Sequence, residues 1–146
     1  MTKTLAGSEA AEKIVEQLPG VVVEHEGDVV LVKIDSVLDV CRFLSQTPGL
    51  DFDYLVDLTA VDYLDYFEVV YHLLSMKHNH SLIIKTHCYD RTQPSVPSVT
   101  CIWISADLQE REVYDLFGIR FEGHPNMKRL FLWEGFEGHP FRRDFL

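Results

Sequence analysis

An α+β fold is predicted, a two-layer sandwich with helices on one face of an antiparallel-rich sheet and an extended C-terminal arm. Three observations predict it. Apolar residues recur at helical spacing in two N-terminal stretches, each closed by Pro-Gly. Runs rich in β-branched and aromatic residues follow one another across connections of three or four residues, which favours antiparallel neighbours. After Gly118 no regular period survives, although large apolar residues stay frequent. In chain order the elements read α-β-β-α-β-β-β-α.

The first helix is expected over 8–18, with Ser8 as cap and Ala10, Ala11, Ile14, Val15 and Leu18 on one face. Residues 21–23 and 29–34 are β-branched runs around Glu26-Gly27-Asp28 and predict a hairpin. Asp35 is placed to cap a second helix whose Val37, Leu38, Cys41 and Leu44 face the core. Three strands follow, at about 52–63, 67–75 and 82–89. Asp57 and Asp62 in the first of them read as a solvated face or a turn rather than a carboxylate site. Val99, Ile102, Trp103 and Ala106 are spaced for a short buried helix. Asp107 and Glu110 sit three apart, as in a capping box, before a helix over 108–117 that Gly118 closes. On that helix Arg111 and Asp115 stand four apart and can pair, while Glu110, Arg111 and Glu112 make a dense charge group.

The tail contains an internal repeat. Phe121-Glu122-Gly123-His124-Pro125 recurs as Phe136-Glu137-Gly138-His139-Pro140, trailed by Lys128-Arg129 in one copy and Arg142-Arg143 in the other. Large apolar groups such as Leu130, Phe131, Leu132, Trp133 and Phe141 are too many for a solvated linker, yet no period buries them. Aromatic residues interleaved with arginine suit a protein interface. The expected division is therefore an α+β domain over 1–118 and a docking arm over 119–146.

Composition narrows the function classes. The chain is 47% hydrophobic and 25% charged, as in an ordinary globular domain. Its net charge is −10, and residues 1–110 hold seventeen of the acidic residues against seven basic ones. Such a body repels nucleic acid and anionic lipid. No apolar run approaches the roughly 20 residues that cross a bilayer. Without a signal-peptide apolar core at its start, the chain is expected in the cytosol. Three cysteines, Cys41, Cys88 and Cys101, form no C-x-x-C pair and fall short of a four-thiolate cluster. No Gly-rich turn offers a dinucleotide site and no Gly-x-Ser-x-Gly elbow a nucleophile. His124 and His139 match no compact metal motif, and structural hydrogen bonding within each loop is expected of them.

The run Glu110-Arg111-Glu112-Val113-Tyr114-Asp115-Leu116-Phe117-Gly118-Ile119, followed by Gly123-His124-Pro125 and Lys128-Arg129-Leu130, closely resembles the signature of the 30 kDa subunit family of respiratory complex I. Members are the C subunit of bacterial NADH-quinone oxidoreductase and the J subunit of its photosynthetic counterpart. The ending Gly138-His139-Pro140-Phe141-Arg142-Arg143 and the upstream Asp57-Leu58-Thr59-Ala60-Val61-Asp62-Tyr63 look similar to the family as well. Leu108 departs from it, standing where Trp is common.

The resemblance implies a peripheral-arm subunit without cofactor, packed on a 49 kDa-type subunit beside cluster-bearing neighbours. Flavin, iron–sulfur clusters and quinone would belong to other subunits, as would the NADH:quinone oxidoreductase and translocase activity. Membrane contact would be indirect, at the cytoplasmic face of a cell or thylakoid membrane. Glu110, Arg111, Glu112, Asp115, His124, Lys128, Arg129, Trp133, His139, Arg142 and Arg143 become the candidate interface residues, with no catalytic or metal residue expected. The alternatives are the equivalent subunit of a membrane-bound hydrogenase or reduced-deazaflavin dehydrogenase and, more remotely, a small free-standing metal-dependent enzyme or an adaptor outside respiration.

Overall fold

A computed structural model describes residues 3–127 and 138–143. Its helices are α1 (Gly7–Gln17), α2 (Val37–Gln46) and α3 (Ala106–Phe117). The main sheet is built from β1 (Lys3–Thr4), β2 (Val22–Glu26), β3 (Val29–Val32), β4 (Tyr54–Asp62), β5 (Phe67–Ser75) and β6 (His80–Cys88). Its order is β2-β3-β6-β5-β4, with β1 also paired to β6. The predicted α+β sandwich with its helices on one face is the fold observed.

Alternation of side chains builds the core. Phe67, Val69, Tyr71 and Leu73 of β5 point inward with Leu82 and Ile84 of β6, against Ile14, Val40, Cys41 and Leu44 of the first two helices. Burial of each such aliphatic or aromatic group stabilises by about 1.5–3 kcal/mol. The β2–β3 and β4–β5–β6 pairings are antiparallel, as the short connections require, but β3 and β6 run parallel, with Val30 opposite Ile84. After β3 the chain crosses through α2 to the far edge, and two hairpins bring it back until β6 fills the gap beside β3. That crossover makes the sheet mixed.

Several local expectations differ. Helix α1 begins at Gly7 with Ala6 as its cap position, and Ser8 makes no cap bond. A Cβ at Gly7 would lie 2.7 Å from the Val29 carbonyl oxygen, so the helix start can press on the β2–β3 turn only as glycine. Asp35 lies in a 3₁₀ turn (Ile34–Ser36) ahead of α2 and supplies no cap. Residues 99–105 form turns, with the amides of Ile102 and Trp103 both donating to the Val99 carbonyl, rather than a short helix. Helix α3 starts at Ala106 without a side-chain cap; Glu110 is fully buried and cannot close a capping box. Two interior donors draw its carboxylate the other way.

Gly118 ends α3 in the left-handed region, φ +79°, as expected. The chain does not leave the domain there. Ile119 and Phe121 are buried, and β8 (Arg120–Glu122) pairs in parallel with β7 (Ser95–Pro97). Packing thus runs past the 118/119 boundary because these two apolar side chains complete the core. At the other edge of the sheet, the Leu58 amide donates to Gln109 Oε1 and the Ser105 hydroxyl to the Leu55 carbonyl. Side chains from the α3 region thereby occupy backbone groups that edge strand β4 leaves unpaired.

Candidate assembly site around helix α3

Helix α3 is fastened at both ends by the two Gly-His-Pro loops. At its start His124 Nδ1 accepts the Asn126 amide at 2.9 Å, so in the neutral ring the proton sits on Nε2. Nε2–H donates to the Asp107 carbonyl at 3.1 Å. Asp107 Oδ1 lies 3.0 Å from the same nitrogen yet makes no hydrogen bond, which leaves the carbonyl as acceptor. One turn on, Glu110 accepts the Ser98 hydroxyl at 2.6 Å and the Val99 amide at 2.8 Å. Burial pushes its pKa up to about 7, against the lowering effect of those two donors. Burial likewise raises the Cys41 thiol and the Tyr71 phenol, both fully buried and both influenced by Glu110.

The last turn of a helix leaves its final carbonyls without helical donors. Here the C-terminal segment supplies donors to three in succession. His139 Nδ1 donates to Asp115 O at 3.0 Å, the Phe141 amide to Leu116 O at 2.9 Å, and Arg142 Nε to Phe117 O at 2.5 Å. A guanidinium at this end also complements the helix dipole. Gly118 is indispensable twice over, since a Cβ on it would lie 2.6 Å from the His139 ring.

Asp62, at the end of β4, fixes the same segment to the sheet. Arg91 grips its carboxylate with both Nη atoms, at 2.6 and 3.0 Å, and the amides of Leu64 and Arg143 donate at 2.8 and 2.9 Å. The Arg91 hydrogen bonds, with help from those two amides, hold the Asp62 carboxyl well below the usual carboxylate range. The guanidinium carbons of Arg91 and Arg142 lie 4.5 and 5.1 Å from the centroid of the buried Phe67 ring. Edge contact of Phe117 with Phe67 and Phe141 completes the junction.

The structure therefore brings Asp115, His139, Arg142 and the Arg143 backbone together at one end of α3. Asp115 and Glu110 are buried, Arg111 is half-buried and Glu112 exposed. Lys128, Arg129 and Trp133 lie outside the described residues. Sequence reasoning missed Asp62 and Arg91. Asp62 shares inward parity with Leu58 and Ala60, a signal that the bulge between Leu55 and Asp57 obscured. Arg91, in an irregular loop, gave none. Among the described residues no group of three His, Cys, Asp or Glu side chains is arranged to hold a metal ion, and no helix is long and apolar enough to cross a membrane.

Comparison with known proteins adds a family. The family described as respiratory-chain NADH dehydrogenase, 30 Kd subunit, matches residues 30–146. The C 2 subunit of NADH-quinone oxidoreductase from Rhizobium meliloti (strain 1021) is 46% identical over 114 residues, covering 76% of this chain and 62% of that one. The corresponding C subunit from Ralstonia pickettii (strain 12J) is 43% identical, covering 99% and 78%. For Rhizobium meliloti and Rhizobium etli the chain spans less than two thirds of the relative's length, 62% and 65%. Among solved structures, a chain of the membrane-bound sulfane sulfur reductase, an archaeal respiratory membrane complex, superposes with a TM-score of 0.76 at 27% identity, covering 94% of this chain and 84% of that one.

Proposed function

The chain belongs to the respiratory-chain NADH dehydrogenase 30 kDa subunit family, and we propose that it is a cofactor-free structural subunit of a complex I-type NADH:quinone oxidoreductase. In this reading it packs on a 49 kDa-type subunit in the peripheral arm, on the cytoplasmic side of the membrane. Neighbouring subunits hold flavin, clusters and quinone and carry out electron transfer coupled to ion translocation. The observation that supports it best is how the motif's reactive groups are used. Both imidazoles, Glu110 and Asp62 hold α3, its flanking turn and the C-terminal segment in place, the pattern of a scaffold. Glu112, on the exposed side of α3, together with Lys128, Arg129 and Trp133 in the tail, would meet the partner.

A related hydrogenase or deazaflavin dehydrogenase is the second reading. It draws support from the same fold in a sulfane sulfur reductase complex, where the reductive chemistry is different. The 42–46% identity to NADH-quinone oxidoreductase relatives favours the NADH:quinone branch. Purification of the tagged chain with and without its native membranes tests both. We expect a colourless chain alone and a cluster-bearing, quinone-reducing assembly with it. Flavin, iron–sulfur absorbance or stoichiometric metal in the isolated chain would overturn the proposal, and hydrogen or deazaflavin oxidation by the assembly would select the second reading.

A further inference from the structure

Helices cover one face of the main sheet; among the described residues nothing covers the other. At its β2 end this open face carries two adjoining hollows of about 320 and 300 Å³ that meet at Leu31 and His87. Their chemistry differs. The first is walled by Glu24 and Glu26 of β2 and by Tyr66, with Glu68 on its floor. Glu68 is already engaged, by Lys85 Nζ at 3.3 Å and His87 Nε2 at 2.9 Å. Glu24 and Glu26 are exposed and have no ion-pair partner among the described residues, so the hollow keeps an excess of negative charge. The second hollow is largely apolar, with Val23 57% and Tyr89 69% exposed at its margin. Strand β2 is the terminal strand beside both, and among the described residues no further strand pairs with it.

We infer that this groove is a second protein-docking surface, shaped for an extended segment of a partner chain that places an arginine or lysine in the acidic hollow and a large apolar side chain in its neighbour. Along an extended segment paired to a terminal strand every second side chain turns to the same face, so two residues that stand two apart can enter the two hollows. The Tyr66 ring adds a π face for a cation. Charge selects the occupant. A second copy would set Glu24 and Glu26 against their own equivalents on a chain of net charge −10. The chain's own tail is bonded to α3 before and after residues 128–137, by His124 to the Asp107 carbonyl and by His139 to the Asp115 carbonyl. A basic segment from another protein satisfies both hollows. The inference rests on the subunit reading, which supplies the partner.

Two measurements on the full chain test it separately from that reading. In solution, an acetylated, amidated octapeptide repeating Arg-Ser-Leu-Ser, which turns arginine and leucine to one face, should shift the amide signals of β2 and the ring signals of Tyr66 and Tyr89. Its counterpart with glutamate in place of arginine should not. The Glu24→Lys/Glu26→Lys variant, altered only at exposed positions, should keep its melting behaviour and bind the basic peptide about tenfold more weakly. In the assembled complex, a benzophenone amino acid in place of Val23 or Tyr89 should cross-link to one segment of another subunit with a basic and a large apolar residue close together. Equal binding of the two peptides, or binding untouched by the charge reversal, overturns the inference. Cross-links only to a second copy or to residues 128–137 overturn it too. If the chain never enters a complex, the subunit reading fails, and the peptide measurement still decides the groove.

Discussion

At the start of α3 the first Gly-His-Pro loop donates from Nε2 to the Asp107 carbonyl; at its end the second donates from Nδ1 to Asp115. Gly123 and Gly138 share the same backbone angle, φ +88°. Identical tripeptides with matching turns thus do different work, and the difference lies in the carbonyl each one meets. Asp107 stands in the first turn, where its carbonyl also serves the helix's own ladder. Asp115 is in the last turn, where no helical amide remains to serve it. The carboxylates nearby differ in the same sense. Glu110 at the first end is desolvated, whereas Asp62 at the second is surrounded by donors. A repeat in sequence therefore sets the turn, and the position on the helix sets its energetic weight.

The comparison breaks most visibly at Asp62. Asp62→Ala leaves the half-buried Arg91 without its carboxylate and releases the Arg143 amide, and loss of hydrogen bonds to a charged group costs about 1.5–3 kcal/mol. Denaturant titration should show that loss, with new proteolytic cleavage after Arg142 or Arg143. A loss below about 1 kcal/mol would mean the second loop does not depend on this anchor.

The two carboxylates should also give opposite pH responses. Glu110 titrates near 7 in the fold against an ordinary 4.5, so its protonated form is favoured by folding. Stability is full below about 4.5, falls as pH rises through 7, and the difference amounts to about 3 kcal/mol. Asp62, held low, contributes stability above about 4 that is lost only as pH falls through its depressed value. Melting curves between pH 4.5 and 8 should slope downward, and Glu110→Gln should flatten them. An unchanged slope in that variant assigns the titration elsewhere.

Gly118→Ala combines a left-handed backbone with a Cβ 2.6 Å from His139, and should cost about 2 kcal/mol. Amide exchange should quicken at Phe141 more than at Asn126. The smallest effects are the most discriminating. His139→Ala should destabilise by about 1 kcal/mol, one unreplaced hydrogen bond at a helix end, and His124→Ala by about half as much. The reverse order in matched unfolding experiments would refute the distinction between the two carbonyls.

What could be read from sequence followed from locality. Residues 67–75 have strand alternation bounded by turns, and the strand occupies that span. The parallel pairing of β3 with β6 depends on a long crossover through α2, β4 and β5, and no local pattern reports it. Glu110 shows the limit at single residues. A glutamate three positions after Asp107 reads as a capping box, and only Ser98 and Val99, brought in from the preceding turn, reveal an inward carboxylate. The tail misled for the same reason. Ile119, Phe121, His139 and Arg142 lack any period because they pack against an element already formed, and aperiodic apolar residues look alike whether their surface is internal or foreign.

The cover over β4 has a wider consequence. A sheet with two bare edges can recruit a strand on each side and so grow into a ribbon without end. Here Gln109 and Ser105 blunt one edge, and among the described residues β2 is the terminal strand at the other. Strand addition at one edge alone cannot propagate a ribbon, which guards the free chain against polymerising.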